Sequence, residues 1–112
     1  MLFRSPGSTT SNPVVQSELY YRANRIYWIY ILLSLKDKKR YIGFTSDLKN
    51  RLKQHKEGKV YSTKYRRPLI LIYVEGCLSE EDARRREKYL KTTGGRRFLA
   101  KRLKSYYLQQ SN

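Results

Sequence analysis

The first sustained apolar run of the chain is Ile26–Leu33, Ile-Tyr-Trp-Ile-Tyr-Ile-Leu-Leu, rich in β-branched and aromatic residues and followed closely by the polar stretch Lys36-Asp37-Lys38-Lys39. That pattern predicts a buried strand and a turn. Arg40–Phe44 gives a second short strand, so the two form a β-hairpin. Leu48 and Leu52 recur four apart behind Ser46 and Asp47, either of which can cap a helix, and Gly58 stands where helices commonly stop. The expected helix runs from Asp47 to about Glu57. A basic, aromatic loop over residues 59–67 ends at Pro68. Leu69–Val74 is apolar at almost every position, which predicts a third strand buried on both faces. Ser79-Glu80-Glu81-Asp82 resembles a capping box opening a helix through Ala83 and Leu90 to about Lys91. Thr92-Thr93-Gly94-Gly95 breaks it, and Leu99, Leu103 and Tyr106 at helical spacing predict one last helix over 96–108. The expected class is α+β, a small three-stranded, mainly antiparallel sheet flanked by helices in the order β-β-α-β-α-α. Residues 1–25, dominated by Ser, Thr, Asn, Pro and Gly as far as Pro13, read as a flexible extension with a short helix at Gln16–Ala23. The folded domain is then 26–112.

Length and charge narrow the function. A chain of 112 residues has one modest core, which excludes doubly wound and barrel enzymes. Its 25 Lys and Arg against 9 Asp and Glu leave a net charge of +16. So positive a surface selects polyanions, with a field that decays within about 10 Å at moderate salt. Nucleic acid is therefore the expected partner. Ile26–Leu33 is far short of the roughly 20 residues a membrane helix needs, so no membrane partner is expected. The N-terminus lacks the apolar segment of a secretory signal. Cys77 and His55 are each the single residue of their type, which leaves no internal disulfide and no Cys/His zinc set. These features together predict a cytoplasmic protein, nucleoid-associated in a bacterium.

The candidate chemistry lies on four of the predicted elements. Trp28-Ile29-Tyr30 and Tyr41-Ile42-Gly43 occupy the two hairpin strands. Arg51 and His55, four apart, project from one face of the first helix beside the Leu48/Leu52 stripe. Glu87 is one acid within Arg84-Arg85-Arg86-Glu87-Lys88, on the apolar side of its helix. Taken singly, a strand tyrosine is a packing residue, a helix arginine a solvated charge, and a carboxylate among arginines their counter-ion. Lys59, Lys64, Arg66 and Arg67 interleave with Tyr61 and Tyr65, giving cations for phosphates and rings that can stack on bases. Arg84, Arg96 and Arg97 extend the basic surface over the later helices.

In this order and spacing, Trp28-Ile29-Tyr30, Tyr41-Ile42-Gly43, Arg51, His55 and Glu87 resemble the GIY-YIG nuclease domain, in particular its small single-domain members. The resemblance covers 26 to about 107. It implies a metal-dependent endonuclease acting on DNA, structure-selective or low in sequence specificity, with a repair role. By that resemblance Glu87 would anchor one Mg2+ or Mn2+, and Arg51 would stabilise charge on the phosphoryl group. Tyr30 and Tyr41 would position or deprotonate the water, their pKa lowered by nearby Arg and metal charge, and His55 would relay a proton or contact the phosphate. Two departures stand out: Trp28 replaces the family's usual first glycine, and Arg96-Arg97 follows Gly94-Gly95 where nuclease members often carry asparagine. The second leaves an alternative, a nucleic-acid-binding module that keeps the fold with little or no hydrolytic activity.

Overall fold

The computed structural model describes residues 25–110, so the expected extension over 1–25, except Arg25, and its helix at Gln16–Ala23 lie outside the described residues. The elements are β1 (Tyr27–Ser34), β2 (Arg40–Thr45), α1 (Leu48–Lys56), a short 3-10 turn (Lys64–Arg66), β3 (Leu69–Cys77), α2 (Glu80–Leu90), α3 (Thr93–Arg102) and α4 (Lys104–Gln110). The sheet is antiparallel throughout, in the order β2-β1-β3. The α+β architecture is therefore as expected, with one helix more.

The first three helices each start at a side-chain cap. Asp47 accepts from the Asn50 N–H, Ser79 from Asp82 and Thr92 from Gly95. The Thr92–Gly95 stretch does not simply break a helix: Thr92 opens α3, and both glycines lie in its first turn. A Cβ at Gly95 would collide with the carbonyl oxygen of Tyr89 and the Cα of Leu90, so glycine is what lets α3 fold back against the end of α2. The single helix expected over 96–108 is two. The chain departs from helical geometry at Leu103, which is buried and carries no Pro or Gly signal.

Pairing assigns the faces. Ile29 and Ile31 point to one side of β1 and form the core with Ala83 and Leu90 of α2 and Leu99 of α3. Tyr30, Leu32 and Ser34 point to the other, towards α1 and the 59–67 loop. The strand enclosed on both faces is thus central β1. β3 is an edge strand, and the expectation that it is buried on both faces is incorrect: Ile70, Leu71 and Val74 are 38%, 40% and 36% exposed. A register shift opposite Ile31/Leu32 turns Ile72 and Tyr73 both towards the core. Leu69 and Leu71 serve a different surface, described below. Among the described residues no helix is long and apolar enough to cross a membrane.

Candidate active site

The two motif tyrosines share one face of the hairpin, because Tyr30 pairs with Gly43 and Leu32 with Tyr41. The glycine has a steric role: any Cβ at Gly43 would run into the Tyr30 ring, which lies flat across the neighbouring strand. That position directs the phenol at α1. Its oxygen is 2.7 Å from Nε2 of His55, and Nδ1 of the same ring is 2.7 Å from Oγ1 of Thr63. Tyr30, His55 and Thr63 are 0%, 2% and 0% exposed, so this chain of hydrogen bonds is shielded from water. The half-buried Tyr41 ring meets the His55 ring edge-on at 5.3 Å and lies 6.3 Å from that of Tyr30.

Burial keeps both titratable groups neutral. The His55 pKa is depressed to about 4 by burial, with the Arg51 charge acting in the same direction. The Tyr30 pKa is pushed up to about 12: burial outweighs the opposing pull of Arg51, and Tyr41 adds to the rise. The expected lowering of the Tyr30 pKa by neighbouring charge is thus reversed in the free protein. With both groups neutral at pH 7, the protons can run from Tyr30 to His55 to Thr63 or in the opposite direction. Arg51 is half-buried; its Nη1 donates to Oε1 of Gln54 at 3.0 Å, and its Nε is buried with no hydrogen-bond partner among the described residues.

Glu87 stands on α2, the helix packed against the opposite face of the sheet. Its carboxylate is 3.2 Å from Lys91 Nζ, and its side chain is 20% exposed. Among the described residues no cluster of three or more His, Cys, Asp or Glu could hold a metal. A lone carboxylate is still a donor set that suits Mg2+ or Mn2+, which take most of their oxygen ligands from water and substrate phosphate. Lys91 would have to yield to the ion.

The predicted nucleic-acid residues fall into two groups. In the loop, Tyr65 is 70% exposed and Lys64 sits 4.9 Å from the centre of its ring, while Lys59 pairs with Glu57. Arg66 and Arg67 are bound into the loop's own architecture. Arg66 bonds Asp37 and the Lys39 carbonyl, and Arg67 donates to the carbonyls of Lys56 and Lys64. On the helices, Arg84 pairs with Glu80 and lies 4.2 Å from the centre of the Phe44 ring, and Arg96 and Arg97 are exposed.

Thr63 went unrecognised at the sequence level. Its only signal is its place just ahead of the Lys64–Arg66 turn, where a hydroxyl commonly bonds backbone. Glu75 was missed too. It takes a bidentate Arg86 at 2.9 Å and 2.9 Å and a bond from the Tyr73 hydroxyl, and Arg86 holds its carboxyl below the usual range. That network braces α2 on β3.

The family model for the GIY-YIG catalytic domain matches residues 26–99. The UPF0213 protein YazA of Bacillus subtilis (strain 168) is 33% identical over 82 residues, covering 72% of this chain and 77% of that protein. UPF0213 protein SH2523 of Staphylococcus haemolyticus is 39% identical over 67 residues, covering 59% and 80%. A UPF0213 protein of Streptococcus pneumoniae serotype 4 is 41% identical over 61 residues, covering 54% and 62%. No solved structure matches the chain significantly.

Proposed function

The chain belongs to the GIY-YIG family, a nuclease superfamily, and on that premise we propose that it is a divalent-metal-dependent endonuclease that hydrolyses phosphodiester bonds in DNA, selecting structure over sequence. The observation that carries the reading is the shielded chain Tyr30–His55–Thr63 with Tyr41 against it and Arg51 beside it. Packing alone gains little from burying three polar side chains in a row, since each must be satisfied by the next. A site that must present one phenol in a fixed orientation gains from all three.

Tyr41, the half-buried ring, is the phenol that meets and orients the attacking water. Tyr30, held protonated and fixed by His55, is the buried support beside which Tyr41 and Arg51 are set. Arg51, half-buried beside this chain, stabilises charge gathering on the phosphoryl group. By the family resemblance Glu87 would hold a Mg2+ or Mn2+ ion that supplies further charge neutralisation, although its helix packs on the face of the sheet opposite the Tyr30 chain, so the substrate would have to span the two. Since both nitrogens of His55 are engaged, it orients Tyr30 and does not touch phosphate. Lys59, Lys64, Tyr65, Arg66, Arg67, Arg84, Arg96 and Arg97 contribute backbone attraction and stacking.

The test is incubation with plasmid and branched DNA in Mg2+ or Mn2+. Wild type should cut, EDTA should stop it, and Arg51→Ala and Glu87→Ala should each lose roughly 100-fold or more in rate. Equal trace cleavage by wild type and both variants would be contamination and would sink the enzyme reading. One observation favours the second reading, a binding module without hydrolysis: Tyr30 is 0% exposed and its pKa lies at about 12, which withholds the phenolate at neutral pH. In that case binding survives and no metal restores cleavage.

A further inference from the structure

Beside the reactive cluster lies an open groove of about 750 Å³, between β1 and β3 on one side and α1 with the 59–67 loop on the other. Its floor is apolar, with Leu52, Leu69 and Leu71 among its residues. Its cationic members are Lys36, Lys56, Lys64 and Arg67, and no acidic residue lines it. The described ion pairs use Lys59, Arg66, Arg84, Arg85, Arg86 and Lys91, so none of the four groove cations has a carboxylate partner among the described residues. The lining also includes His55, which places the groove against the Tyr30 hydrogen-bond chain.

Two further features mark this as a built surface. Leu71, 40% exposed on edge strand β3, is more apolar than an outward position requires, and it lies open to the groove. The rim is also fixed in advance. Lys36 donates to the Tyr65 carbonyl at 3.1 Å, the buried Ser34 hydroxyl donates to the Arg66 carbonyl at 2.7 Å, and Arg66 is tied to Asp37. The loop therefore presents the exposed Tyr65 ring from an anchored backbone.

We propose that this groove receives one unpaired nucleotide of single-stranded DNA, its base on the apolar floor against Tyr65 and its flanking phosphates on Lys36, Lys56, Lys64 and Arg67. A base inside a duplex keeps its faces stacked and cannot reach such a floor, whereas an unpaired one presents a flat apolar face and carries negative charge on both sides. Charge complementarity picks out a polyanion, and the apolar floor picks out a ligand with a hydrophobic face. The inference rests on the nuclease reading only in placing the scissile bond next to the groove, through His55. It specifies the substrate as DNA unpaired beside the cut.

The experiment is fluorescence anisotropy in EDTA with a labelled oligothymidylate and a labelled blunt-ended duplex of two annealed strands. Wild type should prefer the single strand roughly tenfold, the scale of one base stacked on an aromatic ring. Tyr65→Ala removes an exposed ring that the fold does not need, and should abolish most of that preference. Leu71→Trp, which fills the floor, should do the same. Equal affinity of wild type for both probes overturns the proposal, as does a preference that survives in both variants. Plasmid cleavage in Mg2+ is scored separately. Loss of cleavage with the preference intact counts against the nuclease reading alone, and cleavage without the preference counts against the groove alone.

Discussion

At the scale of single residues, His55 and Tyr30 set opposite limits on the pH range in which the fold is stable. An unfolded His55 takes up a proton near pH 6.5, while the folded ring resists until about pH 4. Its contribution is fully present above pH 6.5 and is lost as the pH falls towards 4. Tyr30 acts in the other direction: the unfolded phenol ionises near pH 10 and the folded one near 12, so its contribution is lost as the pH rises through that interval. At about 1.4 kcal/mol per unit, the His55 shift amounts to at most ~4 kcal/mol. Urea midpoints should be flat from pH 6.5 to 10 and fall on both flanks, and His55→Gln should flatten the acid flank. An acid flank of unchanged slope in that variant would remove His55 as its cause. Spacing along a helix was enough to put Arg51 and His55 on one face. That Thr63 closes the chain could not be read in the same way, because its burial follows from how a loop eight residues further on docks over α1.

At the scale of elements, the join between α2 and α3 depends on one of two adjacent glycines. A methyl at Gly95 would meet the Tyr89 carbonyl and the Leu90 backbone, neither of which can move without unseating α2. At Gly94 the nearest atom to such a methyl is the Tyr89 hydroxyl at 3.5 Å, ordinary contact distance. Gly95→Ala should therefore cost ~3 kcal/mol or more, whereas Gly94→Ala should be neutral or stabilise by up to about 1 kcal/mol through helix propensity. Chemical denaturation of the two variants side by side decides it; equal effects would disprove the packing argument. Local signals predicted the hairpin, α1 and α2 well, since caps and apolar spacing are written in adjacent residues. They erred on β3 and on the last helix for a shared reason. An apolar run reports that residues leave water, not what they leave it for, and neither the groove over Leu69 and Leu71 nor the turn at buried Leu103 has a local signature.

For the whole molecule, charge opposes itself. Six of the nine acidic residues are engaged in ion pairs among the described residues, so the acids are largely spent and the net +16 is made of cations that repel one another. Salt should then act with two signs. Added NaCl screens the repulsion and should raise the melting temperature, while it weakens DNA binding steeply by removing the gain from counterion release. Melting curves and binding isotherms over one NaCl series would show it. A melting temperature that falls with salt would mean that the ion pairs matter more than the surplus. The chain order of the parts has a consequence of its own. Tyr30, Gly43, His55 and Thr63 belong to one uninterrupted stretch of sequence, while Leu69 and Leu71, which form the far side of the groove, come after it. A genetic crossover just beyond Thr63 would pass the whole hydrogen-bonded relay on as a unit, with the Lys36, Leu52 and Lys56 side of the groove, and would exchange its far side together with Glu87, so the relay and the metal-holding carboxylate can be inherited from different parents.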